Sequence, residues 1–319
     1  MMSQSHYFEP NANRPVVGRF APSPTGRMHA GNIYAALSAW LVAKSQGGTI
    51  VLRIEDLDRD RSKAEYISAV QRDFELLGLT WDHGPFFQHD RDEAYLEAFS
   101  ALERRGLVYP CFCTRADLHA ASAPHRGEKF VYPGTCRGLT AEQIAEKSMR
   151  RAPAQRLRVP DDTYSFEDMV QGRYKQNLAH DCGDFLIRRS DQAFAYQLAV
   201  VVDDAAQGVT SIVRGVDLLC STPQQLYLQE LLGLDHPRYA HIPLLVAEKN
   251  RRLSKRDHDA GIEELLARFK TPAAIIGHIA GICGLAPTCD PATPEQLLAT
   301  FDVARLPELF SDPVQIPWR

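Results

Sequence analysis

Apolar residues recur along the chain in two patterns, short runs that indicate buried strands and wider spacings that indicate helices. Short runs follow Pro15, where the chain reads V-V-G-R-F, and Gly48, where it reads T-I-V-L-R-I. Helical spacing covers residues 33–44 and 64–78, and Gly78 at the end of the second segment favours a C-cap. Strands that alternate with helices predict an α/β fold.

A loop of small residues joins the first predicted strand to the first predicted helix. Pro22, Pro24 and Gly26 break regular structure there and predict a rigid turn. A helix that begins directly after such a loop aims its backbone N–H groups and its dipole at one point, which is a common cradle for phosphate. His29 and Gly31 lie at this helix start, so the segment predicts an anion-binding site.

Composition is that of an ordinary soluble globular protein, with 319 residues, 45% hydrophobic and 24% charged. This length allows two or three domains and a substantial core. No apolar run approaches the roughly 18 residues that a membrane span needs. The first fourteen residues are polar and predict a frayed terminus of a cytoplasmic protein. A net charge of −4 gives no global sign of nucleic-acid binding, so any RNA contact must use local basic patches.

Three of the seven cysteines are spaced like metal ligands. Cys111 and Cys113 flank one residue, and Cys136 closes a Y-P-G-T-C segment about twenty residues later. Three thiolates are one ligand short of the tetrahedral set that zinc prefers. His119 and His125 lie between the cysteines and are conventional candidates for the fourth position. Partly buried thiols without metal remain the alternative.

Two charged segments admit more than one function. Asp203 and Asp204 end an apolar run and could be general acid/base carboxylates or metal ligands, although paired acids also cap helices. The basic run at 248–256 has the composition of a solvated loop. On these residues alone, neither segment is assigned.

Four stretches resemble the motifs of class I glutamyl- and glutaminyl-tRNA synthetases. Residues 19–26 (R-F-A-P-S-P-T-G) and 29–32 (H-A-G-N) are similar to the opening of that family and to its H-x-G-H signature. Asn32 stands where the second signature histidine usually stands. Residues 53–58 (R-I-E-D-L-D) are similar to the second block, and residues 252–256 (R-L-S-K-R) resemble the K-M-S-K-S loop that closes over ATP.

This resemblance implies a Rossmann-like parallel sheet, split by an acceptor-binding-type insertion with a zinc knuckle and followed by a short helical C-terminal region. The implied segments are a flexible N-terminus at 1–14, the first half of the nucleotide-binding domain at 15–109, the zinc-containing insertion at 110–190, the second half at 191–240, and the K-M-S-K-S-like loop with the helical C-terminal region at 241–319.

The resemblance also implies roles for individual residues. The catalytic residues would be His29 and Lys255. The ATP site, which receives Mg²⁺ with the nucleotide, would comprise His29, Gly31, Asn32 and Lys255. The glutamate site would comprise Arg19, Ser23, Glu55, Tyr196 and Arg214. One structural zinc ion would be held by Cys111, Cys113, Tyr132 and Cys136.

About 60 residues follow Lys255, fewer than the helical anticodon-binding region of discriminating glutamyl-tRNA synthetases would need. Together with the cysteine site, this shortness resembles the glutamyl-Q tRNA(Asp) synthetases. That resemblance implies a monomer that activates L-glutamate with ATP in the absence of tRNA. It further implies transfer of the glutamate to queuosine in the anticodon arm of tRNA(Asp).

Three rival functions remain open. One is a short glutamyl-tRNA synthetase that charges the 3′ end of tRNA(Glu). Another is a nucleotidyltransferase, since other enzymes share H-x-G-H, and this is disfavoured by the glutamate-type residues. The third is a non-catalytic tRNA-binding paralogue, disfavoured because the ATP-site and glutamate-site residues occur together.

Overall fold

The computed structural model describes residues 3–11, 13–114, 117, 131–247, 251–252, 261–309 and 315–318. Its helices are α1 Ala30–Lys44, α2 Ala64–Leu76, α3 Asp92–Arg104, α4 Ala141–Ser148, α5 Leu178–Asp181, α6 Tyr196–Ala206, α7 Thr222–Leu232, α8 Ile262–Phe269, α9 Pro272–Ile282, α10 Pro294–Leu298 and α11 Leu306–Leu309. Its strands are β1 Ser5–Phe8, β2 Val17–Phe20, β3 Thr49–Ile54, β4 His83–Phe87, β5 Val108–Cys111, β6 Ala154–Leu157, β7 Thr163–Asp168, β8 Gly172–Asn177, β9 Phe185–Arg188, β10 Ser211–Gly215, β11 Arg238–Ile242, β12 Leu244–Ala247, β13 Arg251–Arg252 and β14 Gln315–Pro317.

At the centre of the fold, two groups of parallel strands lie side by side, β4-β3-β2 and β10-β11. β2, β3 and β4 pair in parallel, as do β10 and β11. β10 lies beside β2, where the backbone N–H of Thr210 donates to the carbonyl of Val17 at 2.9 Å. The predicted α/β fold with a parallel sheet is therefore confirmed. Strand order reverses between β2 and β10, and open α/β sheets bind ligands at such a switch point, outside the carboxyl ends of the strands.

Helix α1 is buried nearly all round, which explains its alanine- and leucine-rich sequence. It contacts β2 and β10 on one side and α9 and α10 on the other. Leu37, Trp40 and Leu41 are all almost completely buried. A helix that is apolar on every face belongs inside a core, and the C-terminal helices supply the second layer that α1 requires.

A small antiparallel sheet, with the order β5-β6-β9, lies within the segment predicted as the insertion and carries the first cysteine of the metal-like group. β7 and β8 belong to the same segment of the chain. β7, however, pairs with β11 of the parallel sheet, through Asp168 and Tyr239. Part of the segment 110–190 is therefore built into the main sheet.

The N-terminal segment differs from the expectation of a flexible stretch over 1–14. Ser5–Phe8 forms β1, which pairs in parallel with β7, and Phe8 packs against a hydrophobic core that includes Tyr164 and Tyr239. The ring of His6 stacks on Tyr164 with centroids 4.6 Å apart. A four-residue strand in a polar terminus is too short to show a periodic pattern. It forms because it pairs with β7, far along the chain, and local sequence does not reveal that pairing.

Candidate active site and metal centre

The loop after β2 ends at His29, which caps α1. Nδ1 of His29 accepts a hydrogen bond from the backbone N–H of Gly31 at 3.1 Å. The backbone N–H of His29 donates to Oδ1 of Asn32 at 3.1 Å. Because Nδ1 is an acceptor, a neutral His29 ring carries its proton on Nε2 and can donate from that atom. A Cβ at Gly31 would lie 3.1 Å from the ring, so glycine leaves room for the cap. Asn32, the departure from the signature, completes the capping box.

Two adjoining cavities open at the switch point. The first, of about 440 Å³, contains all five residues predicted to bind glutamate: Arg19, Ser23, Glu55, Tyr196 and Arg214. The second, of about 350 Å³, contains His29 and Gly31, which were predicted to bind ATP. Asn32, Ala35 and Gly215 line both. The structure therefore brings the predicted glutamate and nucleotide residues to one continuous cleft.

Arg19 and Arg53 are held side by side by one carboxylate. Oδ1 of Asp204 accepts from Nε of Arg19 at 3.1 Å and from Nη1 of Arg53 at 2.7 Å. Nη2 of Arg53 donates to Oε1 of Glu55 at 3.2 Å. Burial raises the pKa of Glu55, while Arg53 and Arg19 oppose that shift. This network fixes Arg19 and Glu55, which line the cavity, through Arg53 and Asp204, which do not.

The paired acids at the end of the apolar run hold other residues in place. Asp203 is fully buried and accepts from Nε2 of Gln88 at 2.9 Å, from Nε of Arg91 at 3.0 Å and from the hydroxyl of Tyr95 at 2.7 Å. Neither Asp203 nor Asp204 lines the cavity. The possibility of an acid/base or metal-ligand role for this pair is thus disfavoured, because their oxygens are already committed to buried partners.

Arg214 enters the same cavity from β10. Its Nε donates to Nε2 of His241 at 2.9 Å, and its Nη2 donates to Oγ1 of Thr222 at 2.8 Å. The third nitrogen, Nη1, is buried and makes no hydrogen bond to any residue that the structure describes. Arg214 thus lines the cavity as a buried cation with no carboxylate partner among the described residues, which suits a carboxylate ligand that accepts charge-assisted hydrogen bonds.

Lys255, the other predicted catalytic residue, lies outside the described residues. The described chain resumes at Gly261, which forms an antiparallel bridge with His29. Arg27 and Glu263 form an ion pair next to this bridge. The chain that follows the K-M-S-K-S-like segment is therefore anchored beside the cap of α1.

The cysteine group lies apart from this cleft. The sulfur atoms of Cys111, Cys113 and Cys136 lie within 4.8 Å of one another, with Cys113 and Cys136 separated by 3.7 Å. The hydroxyl of Tyr132 is 3.4 Å from the Cys111 sulfur and 3.7 Å from the Cys113 sulfur. Zinc–sulfur bonds of about 2.3 Å in a tetrahedron place sulfurs about 3.8 Å apart. The three thiols thus fit three corners of a tetrahedral zinc site, and the phenolic oxygen of Tyr132 lies close enough to offer a fourth ligand. His119 and His125, the other candidates, lie outside the described residues.

Arg156, which the sequence did not single out, completes this site. Its Nε donates to the Cys111 sulfur at 3.2 Å, and its guanidinium lies 3.6 Å from the centre of the Tyr132 ring. Burial alone would raise the pKa of Cys111, but hydrogen bonds from Tyr132 and Arg156 lower it below its ordinary value. Burial raises the pKa of Cys113 to about 11. The Arg156 charge favours the thiolate form that a metal requires.

Comparison with known proteins identifies the family. A sequence model described as tRNA synthetases class I (E and Q), catalytic domain, matches residues 15–283. The glutamyl-Q tRNA(Asp) synthetase of Symbiobacterium thermophilum is 43% identical over 316 residues, which cover 95% of this chain and 96% of that protein. The protein of the same name from Nitratidesulfovibrio vulgaris is 44% identical over 303 residues, covering 92% and 94%. The chain belongs to the glutamyl-Q tRNA(Asp) synthetase family.

The glutamyl-Q tRNA(Asp) synthetases share their fold with longer glutamate tRNA ligases. The chain resembles the glutamate tRNA ligase of Elizabethkingia meningosepticum, solved in complex with its amino acid, at 26% identity and a TM-score of 0.77. A glutamate-tRNA synthetase from Elizabethkingia anophelis matches with the same identity and TM-score. The match covers 91% of this chain and 65% of the first of those chains. None of the described helices could span a lipid bilayer, since the longest has 15 residues.

The resemblance to this synthetase family was stated from the sequence, but the residues that support the pocket were missed. Arg53, Asp204, Thr222 and His241 hold the predicted glutamate residues in place, and each is buried. Arg53 was visible only as one letter of a motif, and Asp204 as half of an acidic pair. Asp204 lies 185 residues from Arg19 and 151 from Arg53, and His241 lies 27 residues from Arg214, so local spacing could not reveal those contacts.

Proposed function

We propose that the protein activates L-glutamate with ATP in the absence of tRNA and transfers it to queuosine in the anticodon of tRNA(Asp). The observation that carries the first step is that Arg214, a buried cation with no carboxylate partner among the described residues, lines a cavity that adjoins the capped start of α1. Support for the second step comes from the relatives, which are named for queuosine-linked glutamylation and match nearly their whole length.

The cavity offers complementary charges for each end of glutamate. Arg214 and Arg19 suit the side-chain carboxylate, and the hydroxyl of Tyr196 can add a hydrogen bond. Glu55 suits the ammonium group, whose charge would favour the ionised form of this buried carboxyl. Ser23 can hydrogen-bond the backbone end. Glutamine would leave the Arg214 cation unpaired, which penalises that substrate strongly.

Activation requires alignment more than proton transfer. The α-carboxylate of glutamate is already an anion at neutral pH, and its oxygen attacks the α-phosphorus of ATP as the bond to the leaving pyrophosphate breaks. Nε2 of His29, the N-terminal amides of α1 and Lys255 would stabilise charge on the phosphate oxygens. Mg²⁺ bound to ATP supplies further charge neutralisation.

Transfer then forms an ester. A ring hydroxyl of queuosine attacks the carbonyl carbon of glutamyl-adenylate, the bond to AMP breaks, and the departing phosphate can accept the hydroxyl proton. The modified base must be splayed out of its loop to reach the cleft, as in other proteins that read single-stranded RNA.

Exchange of labelled pyrophosphate into ATP, measured without RNA, tests the activation step. We expect glutamate-dependent exchange by the unmodified protein. Lys255→Ala should lower the rate by about 10²-fold, the scale of losing one donor to a developing charge. Lys175→Ala removes an exposed lysine from β8 and should leave the rate unchanged. A strict requirement for tRNA in the exchange would contradict the proposal.

The acceptor is tested with labelled glutamate and tRNA(Asp), prepared with and without queuosine, after the 3′-terminal adenosine has been removed from both. We expect label only on the queuosine-bearing RNA. Intact tRNA(Glu) serves as the third substrate. Label on the 3′ end of tRNA(Glu), with none on tRNA(Asp), would indicate a short glutamyl-tRNA synthetase instead.

A further inference from the structure

We infer that His241 acts as a neutral spacer between Arg214 and Asp168, and that this spacing leaves Arg214 able to bind the side-chain carboxylate of the substrate. The inference rests on the proposed glutamate site and assigns a positioning function to two residues that no motif contains. Neither residue lines the cavity.

The chain of contacts is short and buried. Nε of Arg214 donates to Nε2 of His241 at 2.9 Å, and Nδ1 of His241 lies 2.5 Å from Oδ2 of Asp168. Oδ1 of Asp168 accepts from the backbone N–H of His241 at 3.1 Å and of Val170 at 3.0 Å. His241 is 0% exposed, Asp168 3% and Arg214 5%.

The direction of the hydrogen bonds fixes the protonation of the ring. An arginine side chain can only donate, so Nε2 of His241 must accept and the ring proton must be on Nδ1. Nδ1 then donates to the Asp168 carboxylate. Burial lowers the pKa of His241, as does Arg214, although Asp168 opposes them. The ring is therefore neutral, and the compensating negative charge is on Asp168, one ring away from the guanidinium.

Arg19 provides the contrast within the same cavity. It donates directly to the Asp204 carboxylate, which Arg53 shares. A carboxylate placed directly on Arg214 would form an ion pair and compete with the substrate for its donors. The imidazole instead occupies Nε alone, Thr222 occupies Nη2, and Nη1 stays unsatisfied among the described residues. The Arg214 charge is thus balanced by Asp168 at a distance, and no carboxylate of a described residue occupies its donors.

Two substitutions should move glutamate binding in opposite directions. His241→Glu places an anion against Arg214, so we expect the KM for glutamate in pyrophosphate exchange to rise by about tenfold or more. Asp168→Asn removes the negative charge. Its one amide oxygen can still accept from Nδ1, while its NH2 group replaces Oδ1 and removes the acceptor for the backbone N–H groups of Val170, Gln171 and His241. Arg214 then lacks its compensating anion, and we expect the KM for glutamate to fall by a few fold. The inhibition constant of glutamine, which carries no side-chain charge, should change much less in both variants.

His236→Gln is the matched control, because His236 is half-buried and bonds Gln229 away from the cavity. It should leave both constants unchanged. Equal KM values for all folded variants, or a rise in KM for Asp168→Asn, would overturn the spacer inference. If His241→Glu does not fold, Asp168→Asn alone decides by the sign of its effect. Absence of exchange by the unmodified protein would instead refute the proposed function, so the two failures are distinguishable.

Discussion

At the scale of single residues, the cleft depends on side chains that hold other side chains. Asn32 is one example, since it occupies a position where the family signature has histidine and uses its oxygen to cap the backbone of His29. His29 in turn keeps Nε2 as a donor because Nδ1 is engaged by Gly31. The orientation of the His29 imidazole thus depends on the side-chain amide of a residue three positions along the chain.

Two variants, Asn32→Ala and Asn32→Asp, separate the contribution of the cap to stability from its contribution to ATP binding. Loss of the cap in Asn32→Ala should lower the free energy of unfolding by about 1 kcal/mol and raise the KM for ATP, because His29 loses its support. Asn32→Asp keeps an acceptor, so stability should be retained, while the added anion should still weaken ATP binding. Thermal unfolding and exchange kinetics measure the two effects. Identical ATP binding in all three proteins would exclude a role for the cap in catalysis.

Asp73 predicts a dependence of stability on pH. This side chain of α2 is 7% exposed, its Oδ2 has no hydrogen-bond partner among the described residues, and burial raises its pKa to about 6. A carboxyl whose pKa is raised on folding favours the folded state when protonated. Its contribution is therefore complete below about pH 4 and is lost as the pH rises through about 6.

Asp73→Asn should therefore increase the free energy of unfolding by roughly 1–3 kcal/mol at pH 7, with little difference from the unmodified protein near pH 4. Urea unfolding at pH 4, 5, 6 and 7 measures this trend. Glu75→Gln, on the exposed face of the same helix, is the control. A stability difference that does not vary with pH would count against burial of the Asp73 charge as the cause.

At the scale of elements, sequence periodicity predicted the helices whose bounds are determined by local residue patterns. The predicted helix at 64–78 is observed as Ala64–Leu76, and Gly78 has the left-handed conformation of a C-cap, with φ +74°. The start of α1 was placed three residues late, because the cap at His29 lies within a motif that has no helical spacing. Strand β1 was missed altogether. The motifs likewise identified the residues that line the cleft. They did not identify the buried residues that hold these side chains in place, most of which come from distant parts of the chain.

The cysteine knuckle is an element whose stability should depend on metal. We expect one zinc ion per chain, with three sulfur ligands and one oxygen ligand in zinc-edge spectra, because the four side chains match a tetrahedron. Tyr132→Phe should lower zinc affinity by about tenfold or more. Chelation should lower the melting temperature. Cys220→Ser, outside the group, should bind zinc normally, and full affinity in Tyr132→Phe would assign the fourth position to another residue.

At the scale of the whole molecule, two hydrophobic cores lie on either side of the central sheet. One surrounds α1 and includes residues of α8 and α9, while the other joins α3, α6 and α7. Arg53 and Asp203 are fully buried and Asp204 nearly so, and their charges link β3 to α6. Replacing one member would leave a buried charge unmatched, which typically costs several kcal/mol.

The bond between Arg53 and Asp204 joins residues 151 positions apart. A ribosome that adds about 5–20 residues per second needs roughly 10–30 s to proceed from one to the other. During that interval the nascent chain carries Arg19 and Arg53 without Asp204, the carboxylate that later accepts hydrogen bonds from both. This buried contact can form only after α6 has been synthesised, so until then the two arginines lack their shared partner.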